Sequence, residues 1–138
     1  MTEAFGTAIG IGIVTGLAII GVMRRIGMHR DRAVGPILLV AIAAFYPVFA
    51  VDRGTAGEIA VHASVFALFL AIAALSYRTS LVIAGAALIA HGLFDLAVAG
   101  TGEGPEPDWW APFCLGFDGV IGSWLMFARP WLGDRSEP

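Results

Sequence analysis

The sequence contains no lysine, only one cysteine and few charged residues of either sign. Of its 138 residues, 14% are charged and 58% are hydrophobic. Soluble globular domains have about 25% charged residues and about 45–50% apolar residues. The lone Cys114 excludes a disulfide-stabilised scaffold. A net charge of −3 without a long basic run excludes a nucleic-acid-binding protein. This composition is typical of an integral membrane protein.

Five long apolar stretches occupy most of the chain. Each is roughly 17–20 residues long, which is enough for an α-helix to cross a hydrocarbon core of about 30 Å. The pattern predicts an all-α integral membrane bundle of five transmembrane helices, which forms a single domain over residues 1–138. We expect the helices at about 4–23, 34–51, 58–75, 80–99 and 110–127.

The arginines divide unequally between the two ends of this bundle. Seven of the eight fall in the first loop, the third loop and the C-terminal tail, and only Arg53 falls on the other side. The positive-inside rule therefore predicts an outside N-terminus and a cytoplasmic C-terminus. Trp109, Trp110 and Trp131 are expected in the interfacial aromatic belts. Heavy use of Ala, Gly and Arg suggests a GC-rich bacterial source, so the expected location is a bacterial plasma (inner) membrane, as a multi-pass protein in the lipid bilayer.

Small residues and one proline mark positions where the helices depart from a uniform apolar rod. Pro47 has no N–H to offer the carbonyl of Ala43, so we expect a kink in the second helix. Glycines in the first and fifth helices have spacings that let helix backbones approach closely in lipid. These glycines are Gly6, Gly10, Gly12 and Gly16 in the first helix, and Gly116, Gly119 and Gly122 in the fifth.

Ionisable side chains lie inside three of the predicted helices at one common depth. Such a group costs roughly 2.5–3.5 kcal/mol at the bilayer centre, so it needs a partner, a cavity or a function. Three pairs are spaced four residues apart, which puts both members on one helix face. At about 1.5 Å per residue they lie one or two turns into the outer leaflet. The pairs are Glu58 with His62, His91 with Asp95, and Cys114 with Asp118.

The sequence therefore predicts one polar pocket in the outer leaflet. Tyr46 and Trp110 are expected to line a substrate pocket there. Four of the candidates have ordinary alternatives. Glu58 can be an acid favoured by the helix N-terminus, His62 a core histidine that donates to a carbonyl, Cys114 a small buried hydrophobe and Tyr46 an interfacial aromatic. The catalytic candidates are His91, Asp95, Asp118, Glu58 and His62.

Two kinds of chemistry fit these groups. His62, His91, Asp95 and Asp118, with Cys114 as a further candidate, match a divalent metal such as Zn or Fe in ligand type. The other chemistry needs no metal, because a carboxylic acid held in an apolar cavity can donate a proton while a histidine acts as base. The leading hypothesis is a small intramembrane enzyme acting on a lipid-like or isoprenoid substrate by isomerase, cyclase or hydrolase chemistry.

Two alternatives from other functional classes stay open. A proton- or cation-handling transport component would need a polar path through the inner half of the bundle. One protomer lacks such a path, although a homo-oligomer could supply it. A non-catalytic accessory subunit would need a small-residue face toward its partner, and the first helix has one.

Three segments resemble a family of small bacterial polytopic membrane proteins of unknown function. They are AFYPVFAVDRG over 44–54, AHGLFD over 90–95 and PDWWAPFCLGFD over 107–118. The resemblance covers most of the chain from the second helix onward. It implies the same topology, emphasises His91, Asp95 and Asp118, and implies no activity. In architecture alone, the predicted site also resembles small helical membrane isomerases of the emopamil-binding kind.

Overall fold

The computed structural model of the chain describes residues 2–102 and 104–127, and over these it is a helical bundle. A short 3₁₀ turn follows the first helix at Met28–Arg30. The helices are α1 (Thr2–Arg25), α2 (Val34–Ala43), α3 (Phe45–Arg53), α4 (Ala56–Arg78), α5 (Leu81–Ala99) and α6 (Trp110–Phe127). The C-terminal tail, with the predicted cytoplasmic Arg129 and Arg135 and the predicted interfacial Trp131, lies outside the described residues.

Five helical spans are long and apolar enough to cross a membrane, which confirms the predicted all-α membrane architecture. One of these spans, Val34–Asp52, consists of α2 and α3 together. The helix is interrupted at Ala44, next to the carbonyl that Pro47 cannot bond. The interruption falls where Pro47 is expected to disturb the second span, and it separates α3 from α2 as a short helix.

Polar caps define where α4 and α5 begin. Thr55 and Glu58 form a capping box: Thr55 N donates to Glu58 Oε2 at 2.5 Å, and Glu58 N donates to Thr55 Oγ1 at 3.3 Å. At α5, Ser80 Oγ accepts from Val82 N at 3.2 Å. The helices consequently start at Ala56 and Leu81, so α4 begins two residues before the predicted start at Glu58.

The helix α6 is the centre of the bundle and packs most extensively against α5 and α1. Glycines make both contacts possible. A Cβ built on Gly85 would lie 2.6 Å from the carbonyl oxygen of Gly122, and one built on Gly12 would overlap the carbonyl oxygen of Phe113. The predicted close packing is confirmed at Gly12, Gly16, Gly116 and Gly122; it is wrong at Gly6, Gly10 and Gly119, where a Cβ would meet nothing within 4 Å.

The surface of the bundle carries large exposed hydrophobic side chains, as a lipid-facing surface requires. Val14 is 66% exposed and Val51 is 70% exposed. An open groove of about 420 Å³ lies between the start of α2 and the end of α4. Its walls are apolar side chains and Tyr77, so this groove is not the predicted polar pocket.

Most of the described arginines lie at one end of the bundle, in the last turns of α1 and α4 and in the segment between α1 and α2. There Arg32 Nη2 donates to the carbonyl oxygen of Thr79 at 3.1 Å, which ties the segment before α2 to the turn after α4. This arrangement agrees with the charge asymmetry that the sequence shows. The assignment of this end to the cytoplasm stays a prediction.

Candidate functional site

A buried histidine on α5 lies against two carboxylates. His91 Nδ1 is 3.0 Å from Asp118 Oδ2 on α6 and 3.6 Å from Asp95 Oδ1, one turn further along α5. All three side chains are at most 2% exposed. With Asp118 ionised and His91 neutral, the Nδ1–H of His91 donates to Asp118, and Nε2 is the ring nitrogen that keeps its lone pair.

The spacing between α5 and α6 brings these groups together. Gly92 follows His91 directly, and a Cβ at Gly92 would lie 3.2 Å from Leu115 Cα and 3.3 Å from Asp118 Cβ. With hydrogen at this position, the backbone of α6 can approach closely enough for Asp118 to reach His91. The close contact of the two helices thus sets the histidine–carboxylate distance.

Asp95 and Cys114 form the next part of the site. Both are 0% exposed, and the Cys114 thiol lies beside the Asp95 carboxylate. Apart from this thiol, neither oxygen of Asp95 has a hydrogen-bond partner among the residues that the structure describes. Buried carboxylate oxygens are normally hydrogen-bonded, so Asp95 is a polar group still able to bind something further.

Tyr46 on α3 and His62 on α4 complete the inner wall. The Tyr46 ring centroid is 5.1 Å from that of His62 and 6.3 Å from that of His91. Tyr46 is 2% exposed and His62 is 7% exposed. Within the described chain, His62 Nδ1 has no hydrogen-bond partner, and the Tyr46 hydroxyl lies beside the Glu106 carboxylate, to which it can donate. The structure therefore brings both residues into the predicted cluster.

Glu106 also belongs to the site, although the sequence analysis did not single it out. It lies in the segment between α5 and α6, and its carboxylate is close enough to interact with both Tyr46 and Asp95. Glu106 Oε2 is buried and has no hydrogen-bond partner among the described residues. The only local signal is the pair of flanking prolines, Pro105 and Pro107, which restrict the backbone of this segment.

Trp110, at the first position of α6, closes the cluster on the side of the α5–α6 segment. Its ring is 4.6 Å from that of Phe45 and 5.1 Å from that of Phe49, and the side chain is only 5% exposed. Its Nε1 is buried without a hydrogen-bond partner in the described structure. Trp109 is 55% exposed, whereas Trp110 packs inside the bundle; the interfacial position of both stays a prediction.

Glu58 does not join this cluster. Its carboxylate accepts from Thr55 N in the capping box of α4, at the end of the helix. The spacing of four residues does put Glu58 and His62 on one face, but they differ in depth by one turn. The site prediction is therefore corrected at Glu58, whose role is to begin α4.

The donor set does not have the arrangement of a metal centre. Over residues 2–102 and 104–127, no group of three or more His, Cys, Asp or Glu side chains is arranged to hold a metal ion. The predicted ligand set of His62, His91, Asp95, Asp118 and Cys114 does not form such a group.

Comparisons with other proteins supply no function for the site. No protein-family model, no curated protein sequence and no solved structure matches the chain. The resemblance to small bacterial membrane proteins of unknown function stays a prediction. The function is therefore argued from the chemistry of the buried cluster alone.

Proposed function

We propose that this protein is a small intramembrane enzyme that performs acid–base chemistry on a lipid-like substrate. The observation that carries this proposal is the arrangement of His91 between two buried carboxylates, with Nδ1 3.0 Å from Asp118 and 3.6 Å from Asp95. Asp118 fixes the ring and its tautomer, so that His91 Nε2 can accept a proton. Asp95, which has no other strong partner, is the corresponding acid.

The two groups can move one proton off a substrate and return another. His91 Nε2 removes a proton from one carbon of the substrate, and protonated Asp95 delivers its proton to a second carbon. The imidazolium and carboxylate that result stay within 3.6 Å of each other, so each stabilises the charge of the other. A double bond would change position by this step, without a metal or a redox partner.

The surroundings of His91 favour an apolar substrate. The rings of Phe69 and Tyr46 pack edge-on near His91, with centroid distances of 5.1 and 6.3 Å, and Phe94 packs 5.7 Å from Tyr46. His91, Asp95 and Asp118 lie on helices long enough to span a bilayer. A substrate that reaches it from the membrane would meet aromatic walls first and the polar groups second.

The half of the bundle away from His91 and its two carboxylates gives less support to a transport function. Its centre is filled by fully buried aliphatic side chains such as Leu39, Leu88 and Leu125. Within the described residues, Ser76 is the only buried polar side chain there, and its hydroxyl donates to the carbonyl oxygen of Ala73 at 2.9 Å. The transport alternative would therefore need an additional protomer to continue the path.

We further infer that the protein lies in a bacterial plasma membrane with its N-terminus outside. In this orientation the cluster lies in the outer leaflet. Labelling of single cysteines with a membrane-impermeant maleimide in intact cells tests this orientation, with Cys114→Ser as the background. Asp108→Cys should label in intact cells, whereas Arg30→Cys should label only after permeabilisation. The reverse pattern would invert the topology.

Isotope exchange tests the proposed activity even while the substrate is unidentified. Purified protein would be incubated with a bacterial lipid extract in D₂O and, in parallel, in ¹⁸O-labelled water, followed by lipid mass spectrometry. Acid–base isomerisation or cyclisation introduces solvent deuterium into one lipid class, and hydrolysis introduces ¹⁸O. We expect this label with the wild-type protein and its loss with His91→Gln.

The matched control is Glu58→Gln, which keeps the capping box of α4 and lies outside the cluster. This variant should label lipid at the wild-type rate. Far-UV circular dichroism and thermal unfolding establish that each variant is folded. Equal labelling by His91→Gln, or no lipid label above a protein-free sample, would refute the proposed activity.

A further inference from the structure

The apolar groove between α2 and α4 is a candidate binding site that lies apart from the buried cluster. Its volume is about 420 Å³, and ligand pockets commonly have volumes of roughly 300–1,000 Å³. Along α4 the groove extends from Leu70 to Tyr77, which is about 10 Å at about 1.5 Å per residue and fits within one leaflet of about 15 Å. Its lining side chains other than Tyr77 are apolar. The groove therefore has the length and the lining of a site for one lipid chain.

Positive charge is concentrated at the end of this groove where α2 begins and α4 ends. Arg78 is the last residue of α4 and is exposed. Arg32 precedes α2, and its Nη2 donates to the carbonyl oxygen of Thr79 at 3.1 Å, so its guanidinium connects the segment before α2 with the turn after α4. Asp31, the only acid between α1 and α2, accepts from Ala33 N at 2.8 Å. This end of the groove therefore has a net positive charge.

One hydrogen-bond donor of Arg32 is unused in the part of the chain that the structure describes. Arg32 Nε is buried and has no hydrogen-bond partner there. A guanidinium presents its N–H groups in a planar fork that matches the oxygens of a phosphate. The N-terminus of α2 adds to this preference, because it has no side-chain cap and a helix N-terminus attracts anions. The charged end of the groove is therefore suited to a phosphate group.

We propose that this groove binds one anionic phospholipid, with an acyl chain between α2 and α4 and the phosphate at Arg32 and Arg78. A phospholipid joins the two required chemistries in one molecule, and basic sites between membrane helices are known to bind such headgroups. A second copy of the chain fits less well. Two copies cross the membrane in the same direction, so packing groove against groove would bring the arginines of both together, and like charges oppose such an interface.

Lipid titration of the full-length protein in dodecyl maltoside tests this site. Native mass spectrometry counts the bound lipids, and thermal unfolding reports stabilisation. We expect one dioctanoyl phosphatidylglycerol per chain and a higher unfolding temperature. Dioctanoyl phosphatidylcholine should bind roughly tenfold more weakly or less, because its ammonium group is repelled by the two arginines. Inorganic phosphate at the same concentration should not raise the unfolding temperature, because it has no acyl chain for the groove.

Charge variants test the headgroup end of the site. Arg32→Gln should weaken binding of phosphatidylglycerol by roughly tenfold or more, since charge-assisted hydrogen bonds are lost. Arg78→Gln should also weaken binding, and it leaves the contact of Arg32 with Thr79 in place. The matched control is Arg25→Gln, which removes the same charge from an exposed position at the end of α1 and should bind like the wild type.

Filling the groove tests the acyl-chain end. Ala74→Phe places a ring in the groove at an exposed position and should abolish phosphatidylglycerol binding. Ala71→Phe, exposed on the same helix but outside the groove lining, should bind like the wild type. Equal binding of the two lipids, equal stabilisation by inorganic phosphate, or unchanged binding by Ala74→Phe or by both arginine variants would overturn the proposal. A dimer that Ala74→Phe dissociates would assign the groove to a second copy instead.

Discussion

Replacing Gly85 with alanine should loosen the helix contact that holds the candidate site together. The new Cβ would lie 2.6 Å from the carbonyl oxygen of Gly122 and 2.7 Å from Met126 Cγ. Ordinary contacts of a Cβ begin near 3.4 Å. The Met126 side chain can rotate away, but the backbone carbonyl cannot, so α5 and α6 must separate locally by about 0.8 Å to restore an ordinary contact.

The expected cost of this overpacking is about 1–3 kcal/mol in the free energy of unfolding. The effect should also reach the site, because His91 lies about 9 Å further along α5 at 1.5 Å per residue. Transmission of half of the separation would lengthen the 3.0 Å contact between His91 Nδ1 and Asp118 Oδ2 toward the limit of a hydrogen bond. The substitution therefore tests how the fold positions the histidine.

Two measurements read out this change. Unfolding in mixed dodecyl sulfate and dodecyl maltoside micelles, followed by far-UV circular dichroism, gives the change in free energy. The rate of Cys114 labelling with a membrane-permeant maleimide reports local opening, because this sole cysteine is 0% exposed beside α5. We expect Gly85→Ala to lower the free energy of unfolding and to speed the labelling.

The matched control is Gly119→Ala on α6, where a Cβ would meet nothing within 4 Å. It should change the free energy of unfolding by less than about 0.5 kcal/mol, as exposed substitutions usually do, and leave the labelling rate as it is. If Gly85→Ala behaves like Gly119→Ala in both measurements, then the α5–α6 contact does not set the geometry of the site.

Two further substitutions test the cluster and the α1–α6 contact by the same unfolding assay. Tyr46→Phe removes only the hydroxyl and its contact with the Glu106 carboxylate, so it should cost about 1–2 kcal/mol, whereas Tyr46→Ala also removes the ring and should cost about 3–5 kcal/mol; similar losses for both would show that the ring contributes little to stability. Gly12→Ala should cost about 1–3 kcal/mol, because its Cβ would overlap the carbonyl oxygen of Phe113. Gly10→Ala, in open space on the same helix, should leave the free energy of unfolding almost unchanged. Equal effects of Gly10→Ala and Gly12→Ala would contradict the close contact of α1 with α6 at Gly12.

The fold could be predicted because the thickness of a bilayer fixes the length of an apolar helix. The five predicted stretches correspond to the five spans, and the last of them, 110–127, has the same bounds in α6. The discrepancies lie at ends and kinks, where hydropathy carries no information. Thr55 and Glu58 show what hydropathy omits: their spacing is that of a capping box, and this signal would have assigned Glu58 to the start of α4.

The core of the site could be predicted because a polar group inside a membrane helix is costly unless it has a partner. His91, Asp95 and Asp118 met that criterion, and the structure brings them together. Glu106 could not be found in this way, because it lies outside the spans in a segment without periodicity. Its position depends on how that segment folds back over Tyr46, which is a tertiary contact.

The unpartnered atoms of the cluster distinguish a functional site from a structural one. If the cluster served only to stabilise a scaffold, Asp95 would be held by its neighbours, and breaking such a buried pair would cost about 3–5 kcal/mol. Instead, apart from the Cys114 thiol, neither oxygen of Asp95 has a hydrogen-bond partner among the described residues. We therefore expect Asp95→Asn to leave the free energy of unfolding unchanged or to raise it by up to about 2 kcal/mol, since functional sites commonly carry polar groups that reduce stability. The same variant should lose isotope exchange into lipid. A protein destabilised by several kcal/mol would instead identify Asp95 as a structural partner of His91, and the accessory-subunit alternative would then be favoured.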